Sequence, residues 1–430
     1  MRIDPNKLHR VGLVVLAALV VLIIAISCSK QLRREGARGD VEVYVHAARL
    51  VLNDENIYKT PLERGKLYYV YLPLIAVLMI PFTALPMEAI TFLWCIFNII
   101  LVGWIFLTFY EIVAGHSFFT LPIRSRWIIG FFSIIMCSRS ILYHLDLAQA
   151  NLLAVSVAVL GLKMLNRRKQ ISAGICIAIS AVLKFITFPL SILFLARRDT
   201  RILTGIAVGS VIGLLIPALL VGFSQNLLYI DYWVREVVLS HDVSQSYHWS
   251  IKFNFSLEAQ LYRYFSYTAP FEHEGQYYYL TIIELPKAAI SILGKAALVL
   301  MALSILFYGF CYRKSSELVG LWGGAALAFS LMPILSTVTQ KHYFVAMLPA
   351  QIYVVYLWFT LGLNDKWFRG LVVASFVAMN LPVIMPLQFL KHSMDYAGGL
   401  LLGVLLLSGA VFRAAGQLSD PEQKVTPVEI

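Results

Sequence analysis

The side chains best suited to chemistry are polar groups at the ends of long apolar segments. Asp40 precedes a run whose residues 44, 47, 48 and 51 are apolar or aromatic at helical spacing, so it is predicted to begin a short amphipathic helix. A carboxylate in that position can act as a general base and take a proton from a hydroxyl group. An aspartate that follows a glycine can equally well cap the helix. On these residues alone both roles of Asp40 stay open.

Further polar residues lie at the ends of other apolar segments: His46, Gln149, Asn151, Asn254, Ser256, Arg263, Lys341 and His342. Lys184 and Lys295 lie deeper in apolar runs, where ionisable groups are functional candidates by default. Lys295 is close enough to the end of its run for the ammonium to reach an aqueous interface. Lys184 lies beside a predicted helix break, in a run that also contains Pro189, and is the better candidate of the two.

The residue patterns do not indicate a metal or nucleotide site. The outer loops contain no DxD pair, no HExxH motif and no clustered histidine and aspartate. The five cysteines lie in or beside apolar runs and none has metal spacing, so we interpret them as small apolar residues. No metal or other cofactor is therefore expected. Arginine and lysine near a membrane surface can instead bind a lipid-linked phosphate through charge-assisted hydrogen bonds.

The composition places these residues in a membrane protein. Of the 430 residues, 59% are hydrophobic and only 14% are charged, whereas soluble domains are about a quarter charged. Several apolar runs reach the roughly 20 residues with which a helix crosses a bilayer. Such runs exclude an outer-membrane barrel, because its strands alternate over about 10 residues. The sequence predicts an all-α polytopic membrane protein that binds no nucleic acid.

Short basic loops set the predicted orientation. Residues 167–169, 197–201 and 313–314 contain clustered arginine and lysine, and such clusters mark the cytoplasmic face. The first apolar run, 11–27, is long for a cleaved signal and is interpreted as an uncleaved span. It would leave residues 29–70 as the first extracytoplasmic loop. Both termini are then cytoplasmic, and the tail 413–430 is predicted to be disordered.

The number of crossings depends on how two of the apolar segments are interpreted. The first outer loop lies outside the membrane and the basic cluster at 167–169 lies inside, so an odd number of spans must connect them. Four apolar runs lie between the two: 71–85, 88–110, 127–143 and 150–165. Polar residues interrupt the third run, so 127–149 is predicted to be re-entrant or broken. The run 171–195 is predicted to be a helical hairpin broken near Lys184, which keeps both flanking clusters inside. The crossing number of these two segments stays open.

The rest of the chain alternates regularly. A span at 202–221 leads to a long extracytoplasmic loop, 222–285, which opens with an amphipathic helix at 226–239 and is rich in aromatic residues. Those aromatics can anchor to lipid headgroups, stack on sugars or pack along prenyl chains. Five further spans follow, at 286–311, 317–335, 342–361, 370–386 and 397–412. Residues 1–412 are thus predicted to form one domain of about ten to twelve transmembrane or re-entrant helices.

An ordered set of short motifs resembles a known enzyme family. The set comprises Asp40-x-x-x-Tyr44-x-x-Ala47, Asn56-Ile57-Tyr58, Val70-Tyr71-x-Pro73, Gln149-x-Asn151, Lys184 with Pro189, Asn254-x-Ser256-Leu257 with Arg263, and Pro333 followed by Lys341-His342-Tyr343. In this order the motifs are similar to those of glycosyltransferase family 87, bacterial membrane enzymes of the GT-C type that use polyprenyl-phosphate mannose and related donors. One departure is Ala148, where the family usually has glycine.

The resemblance implies a fold, an activity and a set of site residues. The fold would be a GT-C bundle with its active site in extracytoplasmic loops. Asp40 would be the catalytic general base and His342 would stabilise or orient the phosphate. Substrate-binding roles are expected for Tyr44, Tyr71, Gln149, Asn151, Lys184, Asn254 and Ser256, and we add Arg263 and Lys341 as phosphate contacts on the basis of their charge. Lys184 could instead fix the broken helix through backbone carbonyls, and Gln149 and Asn151 could hydrogen-bond to the broken backbone. His342 could simply be a polar side chain at the interface. The lipid-linked sugar would be a co-substrate, with no metal required.

The expected activity is transfer of a hexose, with mannose as the family default, to a lipid or glycan acceptor. It would take place at the outer face of the bacterial inner membrane and invert the anomeric configuration. The main alternative is a transporter or flippase of lipid-linked sugars, whose substrate sites lie at the bilayer midplane. Here the polar candidates collect at one face, which favours the enzyme. A structural subunit of an envelope assembly would show no dependence on Asp40.

Overall fold

The computed structural model describes residues 5–33, 39–63, 67–239, 254–267, 271–336, 338–385 and 388–419. These residues are almost all helical. A small antiparallel hairpin joins β1 (Phe271–His273) to β2 (Gln276–Tyr278), with Phe271 opposite Tyr278. The all-α prediction is confirmed.

Eighteen helices are described in chain order: α1 (Pro5–Leu32), α2 (Asp40–Leu52), α3 (Pro73–Leu78), α4 (Met87–Ala114), α5 (Ile123–Asp146), α6 (Asn151–Asn166), α7 (Gln170–Leu183), α8 (Pro189–Arg197), α9 (Thr200–Leu215), α10 (Ala218–Val221), α11 (Phe223–Tyr232), α12 (Leu257–Phe265), α13 (Lys287–Cys311), α14 (Gly324–Leu331), α15 (Leu348–Phe359), α16 (Lys366–Ile384), α17 (Gln388–Tyr396) and α18 (Gly399–Leu418). Short 3₁₀ segments cover Ile80–Ala84, Phe118–Thr120, Phe185–Thr187 and Lys341–Met347, and π-helical turns cover Trp233–Leu239 and Glu317–Gly323.

Within the described residues, seven helical segments are long and apolar enough to cross a bilayer: Val11–Leu32, Met87–Ala114, Ile123–Asp146, Thr200–Val221, Lys287–Cys311, Lys341–Phe359 and Gly399–Leu418. Four shorter apolar segments accompany them: Asn151–Asn166, Gln170–Leu183, Phe185–Arg197 and Glu317–Leu331. The chain is therefore a polytopic helical membrane protein, as its composition predicts.

The predicted break at 127–149 is wrong, because α5 is one continuous helix from Ile123 to Asp146. The polar residues that indicated a break form hydrogen bonds inside the bundle instead. Arg139, for example, donates to the carbonyl oxygen of Met379 over 2.9 Å. The run that cannot cross is 71–85. It forms α3, whose six residues rise only about 9 Å, and then a 3₁₀ segment. Three helices, α4 to α6, then separate the first loop from the basic cluster at 167–169.

The predicted break near Lys184 is confirmed. Helix α7 ends at Leu183, and Lys184 is extended with φ −153° and ψ 116°. A 3₁₀ segment and Pro189 follow, and the proline occupies the first turn of α8, where a missing N–H costs nothing.

Helix α9 packs alongside α7 in the same direction. A Cβ on Gly205 would lie 2.2 Å from the carbonyl oxygen of Ile171 near the start of α7, so the backbones are in direct contact there. A Cβ on Gly213 would lie 3.1 Å from Val182 near the end of α7. Because α7 and α9 are parallel, α8 must return between them. The two basic clusters that flank this hairpin therefore lie at the same end of the bundle, as predicted.

The third basic cluster lies at that end too. Arg168 forms a 3.5 Å ion pair with Glu317, which follows the basic residues 313–314. Helix α6 connects this end to the opposite one. It begins at Asn151 and ends at Asn166, and its sixteen residues span about 24 Å. The residues at the start of α6 thus lie a membrane-scale distance from the basic end.

The outer segments agree in part with their predictions. Helix α2 begins at Asp40 and buries the predicted face, including Tyr44 and Val51. The amphipathic helix predicted at 226–239 is α11 continued by a π-helical turn. The aromatic residues Tyr247, Trp249 and Phe253 lie outside the described residues. The tail prediction begins too early, because α18 continues to Leu418; residues 420–430 lie outside the described part.

Candidate functional site

Asp40 is held at the start of α2 by the backbone of a distant turn. Its N–H donates to the carbonyl oxygen of Leu147 over 2.8 Å. The N-cap position belongs to Gly39, and Asp40 is the first residue of the helix, in the turn where a carboxylate stabilises a helix start. The role of Asp40 as a general base stays a prediction, with stabilisation of the helix start as the alternative. Gly39 has φ +114°, and a Cβ there would lie 2.7 Å from the Leu147 oxygen, so this close approach requires glycine.

The Asp40 carboxylate lies in a network of hydrogen bonds. Its Oδ2 accepts from the Tyr71 hydroxyl over 2.9 Å and from the side-chain amide of Gln149. Asp40 and Tyr71 are partly exposed. Burial and then the neighbouring Asp40 carboxylate raise the pKa of Tyr71 well above its usual range. The tyrosine therefore remains a hydroxyl donor to the carboxylate.

Gln149 connects Asp40 to Lys184. Its Oε1 accepts from the Lys184 ammonium over 2.7 Å and from the Tyr44 hydroxyl over 3.2 Å. Its carbonyl oxygen accepts from the indole N–H of Trp94 over 3.1 Å. Gln149 and Lys184 are both buried. Trp94 is not recognisable from the sequence as a site residue, because nothing in its local pattern distinguishes it from a core aromatic.

The turn between α5 and α6 carries Gln149 and has an unusual backbone. Ala148 has φ +49°, a left-handed conformation that favours glycine. This explains physically why glycine suits the position in the family that the motifs resemble. The C-terminal end of α1 holds the same turn: Lys30 pairs with Asp146 over 2.8 Å, and Gln31 donates to the Leu145 carbonyl oxygen over 2.7 Å.

His342 lies beside this network. The side-chain amide of Asn151 donates to the His342 carbonyl oxygen over 2.9 Å. The imidazole is buried, and its Nδ1 has no hydrogen-bond partner within the described part of the chain. Lys184 and His144 are both within electrostatic reach of His342. His144, which sequence analysis did not select, is itself buried and bonded to Asn98 over 2.9 Å.

A second polar cluster surrounds Asp395, which sequence analysis also missed. Its buried Oδ2 pairs with Lys341 over 2.5 Å and with Arg139. Lys341 also lies over the rings of Tyr143 and Phe255, at 5.4 and 5.3 Å from their centroids. The contacts described here thus join Lys341 to a carboxylate 54 positions away, which no local pattern could have indicated.

The other predicted binding residues organise the backbone next to this cluster. Asn254 Oδ1 accepts from the N–H groups of Ser256 and Thr339, over 3.0 and 3.1 Å. The Ser256 hydroxyl caps α12. Arg263 is buried, donates to the Asn254 carbonyl oxygen over 2.6 Å and stacks 4.6 Å from the Tyr396 ring centroid. Burial lowers the pKa of Arg263 to about 10, so it stays charged at neutral pH.

The structure therefore divides the candidates into two neighbouring groups. The Asp40 network contains Asp40, Tyr44, Tyr71, Gln149 and Lys184, with Asn151 and His342 next to it. The Asp395 cluster contains Lys341 and is flanked by Asn254, Ser256 and Arg263. Contact of any of these residues with a substrate stays a prediction. No group of three or more His, Cys, Asp or Glu that could hold a metal ion occurs in the described ranges.

Fold and site together define a class: a polytopic helical membrane protein with a carboxylate network at the end opposite its basic loops. Residues 69–293, just over half of the chain, match the family model described as Glycosyltransferase family 87. The chain belongs to glycosyltransferase family 87 and is a membrane glycosyltransferase of the GT-C type. The resemblance found in the motifs is thus confirmed. Asp40 and His342 lie outside the matched residues, whereas Tyr71, Gln149 and Lys184 lie within them.

Among solved structures, the chain is similar to the crystal structure of ArnT from Cupriavidus metallidurans bound to undecaprenyl phosphate. The sequences are 11% identical and the TM-score is 0.40, over 93% of this chain and 78% of that one. No curated protein matches the sequence.

Proposed function

We propose that the protein is an inverting glycosyltransferase that moves a hexose, with mannose as the first choice, from a polyprenyl-phosphate donor to a lipid or glycan acceptor. The observation that carries this proposal is the position of Asp40. Its carboxylate is partly exposed, is oriented by Tyr71 and Gln149, and lies at the end of the bundle opposite the basic loops. The choice of donor follows the family to which the chain belongs.

Asp40 acts as the general base of the transfer. It takes the proton from the acceptor hydroxyl as that oxygen attacks the anomeric carbon of the donor. The bond between this carbon and the phosphate oxygen breaks, and polyprenyl phosphate leaves with the bonding electrons. Attack opposite the leaving group converts a β-linked donor into an α-linked product. General-base assistance of this kind is worth about 10²–10⁴-fold in rate.

The departing phosphate needs positive charge or hydrogen-bond donors close by. His342 is a suitable donor, because it is buried beside the Asp40 network and its Nδ1 lacks a partner among the described residues. Lys341 and Arg263 lie on the same side of the molecule, in and next to the Asp395 cluster. They provide further positive charge for the phosphate. Because protein cations fill this role, the transfer proceeds without a metal ion or other cofactor.

The protein works in the bacterial inner membrane with both termini in the cytoplasm. Clustered arginine and lysine residues favour the cytoplasmic face. The three basic clusters lie at one end of the bundle, as the pairing of Arg168 with Glu317 and the parallel packing of α7 and α9 support. The Asp40 network lies at the other end and therefore faces outward, where it meets the lipid-linked donor and its acceptor.

The proposal is tested with purified protein in detergent. Synthetic polyprenyl-phosphate mannose and its glucose analogue would be offered with a panel of lipid and glycan acceptors, in the presence of a chelator. The expected result is consumption of a donor and an α-linked product by NMR. Donor consumption that stops with chelator and returns with a divalent cation would contradict metal independence. Failure to consume any lipid-linked donor, combined with movement of that lipid between leaflets of proteoliposomes, would favour the flippase.

A further inference from the structure

We propose that Lys184 acts on the transfer through Gln149, as a positioning residue that keeps the Asp40 carboxylate in its reactive orientation, and not as a ligand of the donor phosphate. This inference rests on the proposed role of Asp40 as general base. It assigns to Lys184 a role different from the substrate contact expected from its position in the sequence.

The hydrogen bonds of Gln149 carry the argument. A glutamine side-chain amide has an oxygen that accepts and an NH2 group that donates. A half-turn of the amide exchanges the positions of these two groups. A lysine ammonium can only donate, and it lies 2.7 Å from Gln149 Oε1. The Tyr44 hydroxyl lies 3.2 Å from the same oxygen. These two donors fix the amide oxygen on the Lys184 side, so the amide N–H must point at Asp40.

The surroundings of Lys184 keep its ammonium in place. The residue is only 4% exposed, and its Nζ lies 4.9 Å from the ring centroid of Tyr71 and 5.1 Å from that of Tyr343. Its backbone N–H donates to the Ser180 carbonyl oxygen over 3.0 Å at the end of α7. A buried ammonium is costly unless it is paired, so it does not leave Gln149 freely to meet a phosphate.

Removal of the ammonium frees the Gln149 amide to turn over, which would bring its oxygen against the carboxylate and leave the base misoriented. Asp40 then also loses the amide N–H that now donates to its Oδ2. A lost hydrogen bond to the charged form disfavours the carboxylate anion. A base that protonates more readily loses its activity at a higher pH.

The first test compares Lys184→Met with the wild-type protein. Turnover at saturating donor would be measured from about pH 3.5 to pH 9, so that the range includes the acidic midpoint of an aspartate base, together with the KM for the donor. We expect kcat to fall by about tenfold to hundredfold, as for a misplaced catalytic group. The donor KM should change little, and the acidic midpoint of the kcat profile should rise by about one pH unit. Lys295→Met is the matched control: Lys295 lies in α13 with an exposed side chain, and its replacement should change none of these values.

A double-mutant cycle separates positioning from direct phosphate binding. Gln149→Leu removes the connection between Lys184 and Asp40. If Lys184 acts through Gln149, adding Lys184→Met to Gln149→Leu should reduce kcat by less than about twofold further. If Lys184 binds the phosphate, the fold-decrease in kcat of the double variant should be the product of the decreases in the two single variants. Lys184→Gln, which keeps a polar group of similar length, replaces Lys184→Met if melting shows that the methionine variant does not fold.

The outcomes distinguish this inference from the proposed function. A tenfold rise in donor KM with an unchanged acidic midpoint would overturn the positioning role and return Lys184 to the phosphate. An unchanged kcat, KM and midpoint would overturn it as well. In both cases wild-type turnover that depends on Asp40 would leave the proposed function intact. If the wild-type protein transfers no sugar, or transfers it without need of Asp40, the proposed function itself fails.

Discussion

The N–H of Asp40 donates to the carbonyl oxygen of Leu147 over 2.8 Å, which docks the start of α2 onto the turn between α5 and α6. The same turn carries Gln149, whose amide reaches the Asp40 carboxylate. One backbone contact thus fixes the distance between the proposed base and the residue that orients it. The contact joins segments 107 positions apart, and Gly39 and Ala148 make it possible.

Gly39→Ala is expected to impair both stability and activity. The residue has φ +114°, and a Cβ would lie 2.7 Å from the Leu147 oxygen, a backbone atom that cannot easily move. An L-residue at an incompatible φ destabilises by more than about 1 kcal/mol. Melting temperature and kcat would be measured together.

Gly115→Ala is the matched control for Gly39→Ala. Gly115 also has a positive φ, +73°, but a Cβ there would meet no described atom within 4 Å. It should lower the melting temperature and leave kcat unchanged. Equal kcat for Gly39→Ala and the wild-type protein would show that the docking of Asp40 does not matter for the reaction.

Ala148→Gly should be tolerated, because glycine relieves the left-handed backbone of this residue, φ +49°. Removing the backbone strain stabilises the folded state by about 1–2 kcal/mol. Two effects offset this gain: glycine loses more conformational entropy on folding, and a buried methyl group is lost. We expect stability within about 1 kcal/mol of wild type by this balance and kcat within about twofold. Ala148→Val should instead destabilise strongly, since a β-branched residue at positive φ is strained. A lower activity of Ala148→Gly than of Ala148→Val would contradict the claim that the left-handed backbone at this position favours glycine.

Tyr71→Phe removes a hydroxyl that donates to Asp40 over 2.9 Å. A hydrogen bond to a charged group is worth about 1.5–3 kcal/mol, so kcat should fall by about tenfold to hundredfold as the carboxylate loses its orientation. The donor hydroxyl favours the anion, so its loss should also move the acidic limb of the kcat profile to higher pH. Because the pKa of Tyr71 is raised, its ionisation should cause no alkaline decline in the wild-type profile below pH 10.

Tyr308→Phe serves as the control for Tyr71→Phe. Its buried hydroxyl donates to the Val319 carbonyl oxygen over 2.8 Å, away from Asp40. That variant can lose stability but should keep the kcat profile of the wild-type protein. A shifted profile in Tyr308→Phe, or an unshifted one in Tyr71→Phe, would speak against the orienting role of Tyr71.

Asp395→Asn is expected to be among the most destabilising single changes. Its buried carboxylate pairs with both Lys341 and Arg139, and removing one partner of a buried ion pair costs about 3–5 kcal/mol. Asp231→Asn is the control, because the Asp231–Arg235 pair is exposed and such pairs contribute about 0.3–0.5 kcal/mol. Unfolding in detergent would be followed for both variants. Similar losses of unfolding free energy in the two would contradict the importance of the Asp395 cluster.

The sequence predicted features that depend on local patterns. Helical spacing placed Asp40 at the start of α2, and a lysine near a proline in an apolar run indicated the break between α7 and α8. The sequence did not show which of the apolar runs fails to cross the membrane. Hydropathy alone favoured 127–149 as the broken segment, because it does not show that Arg139 finds a carbonyl oxygen and a carboxylate across the bundle.

The other site residues that the sequence did not indicate depend on contacts between residues far apart in the chain. Asp395 lies 256 positions from Arg139 and resembles any polar residue of an interfacial helix until the chain is folded. Trp94 and His144 read as core residues for the same reason. The positive φ of Ala148 was not predictable either, since alanine is not a residue that indicates a left-handed turn.

The most direct test of this account is sugar transfer by Asp40→Asn in detergent, with chelator present and with melting equal to that of the wild-type protein. Asp54→Asn is the matched control, because Asp54 is exposed just after α2 and its positive φ, +56°, suits asparagine. We expect full turnover for Asp54→Asn and a loss of about 10²–10⁴-fold for Asp40→Asn. Equal turnover by wild type and a well-folded Asp40→Asn would contradict it.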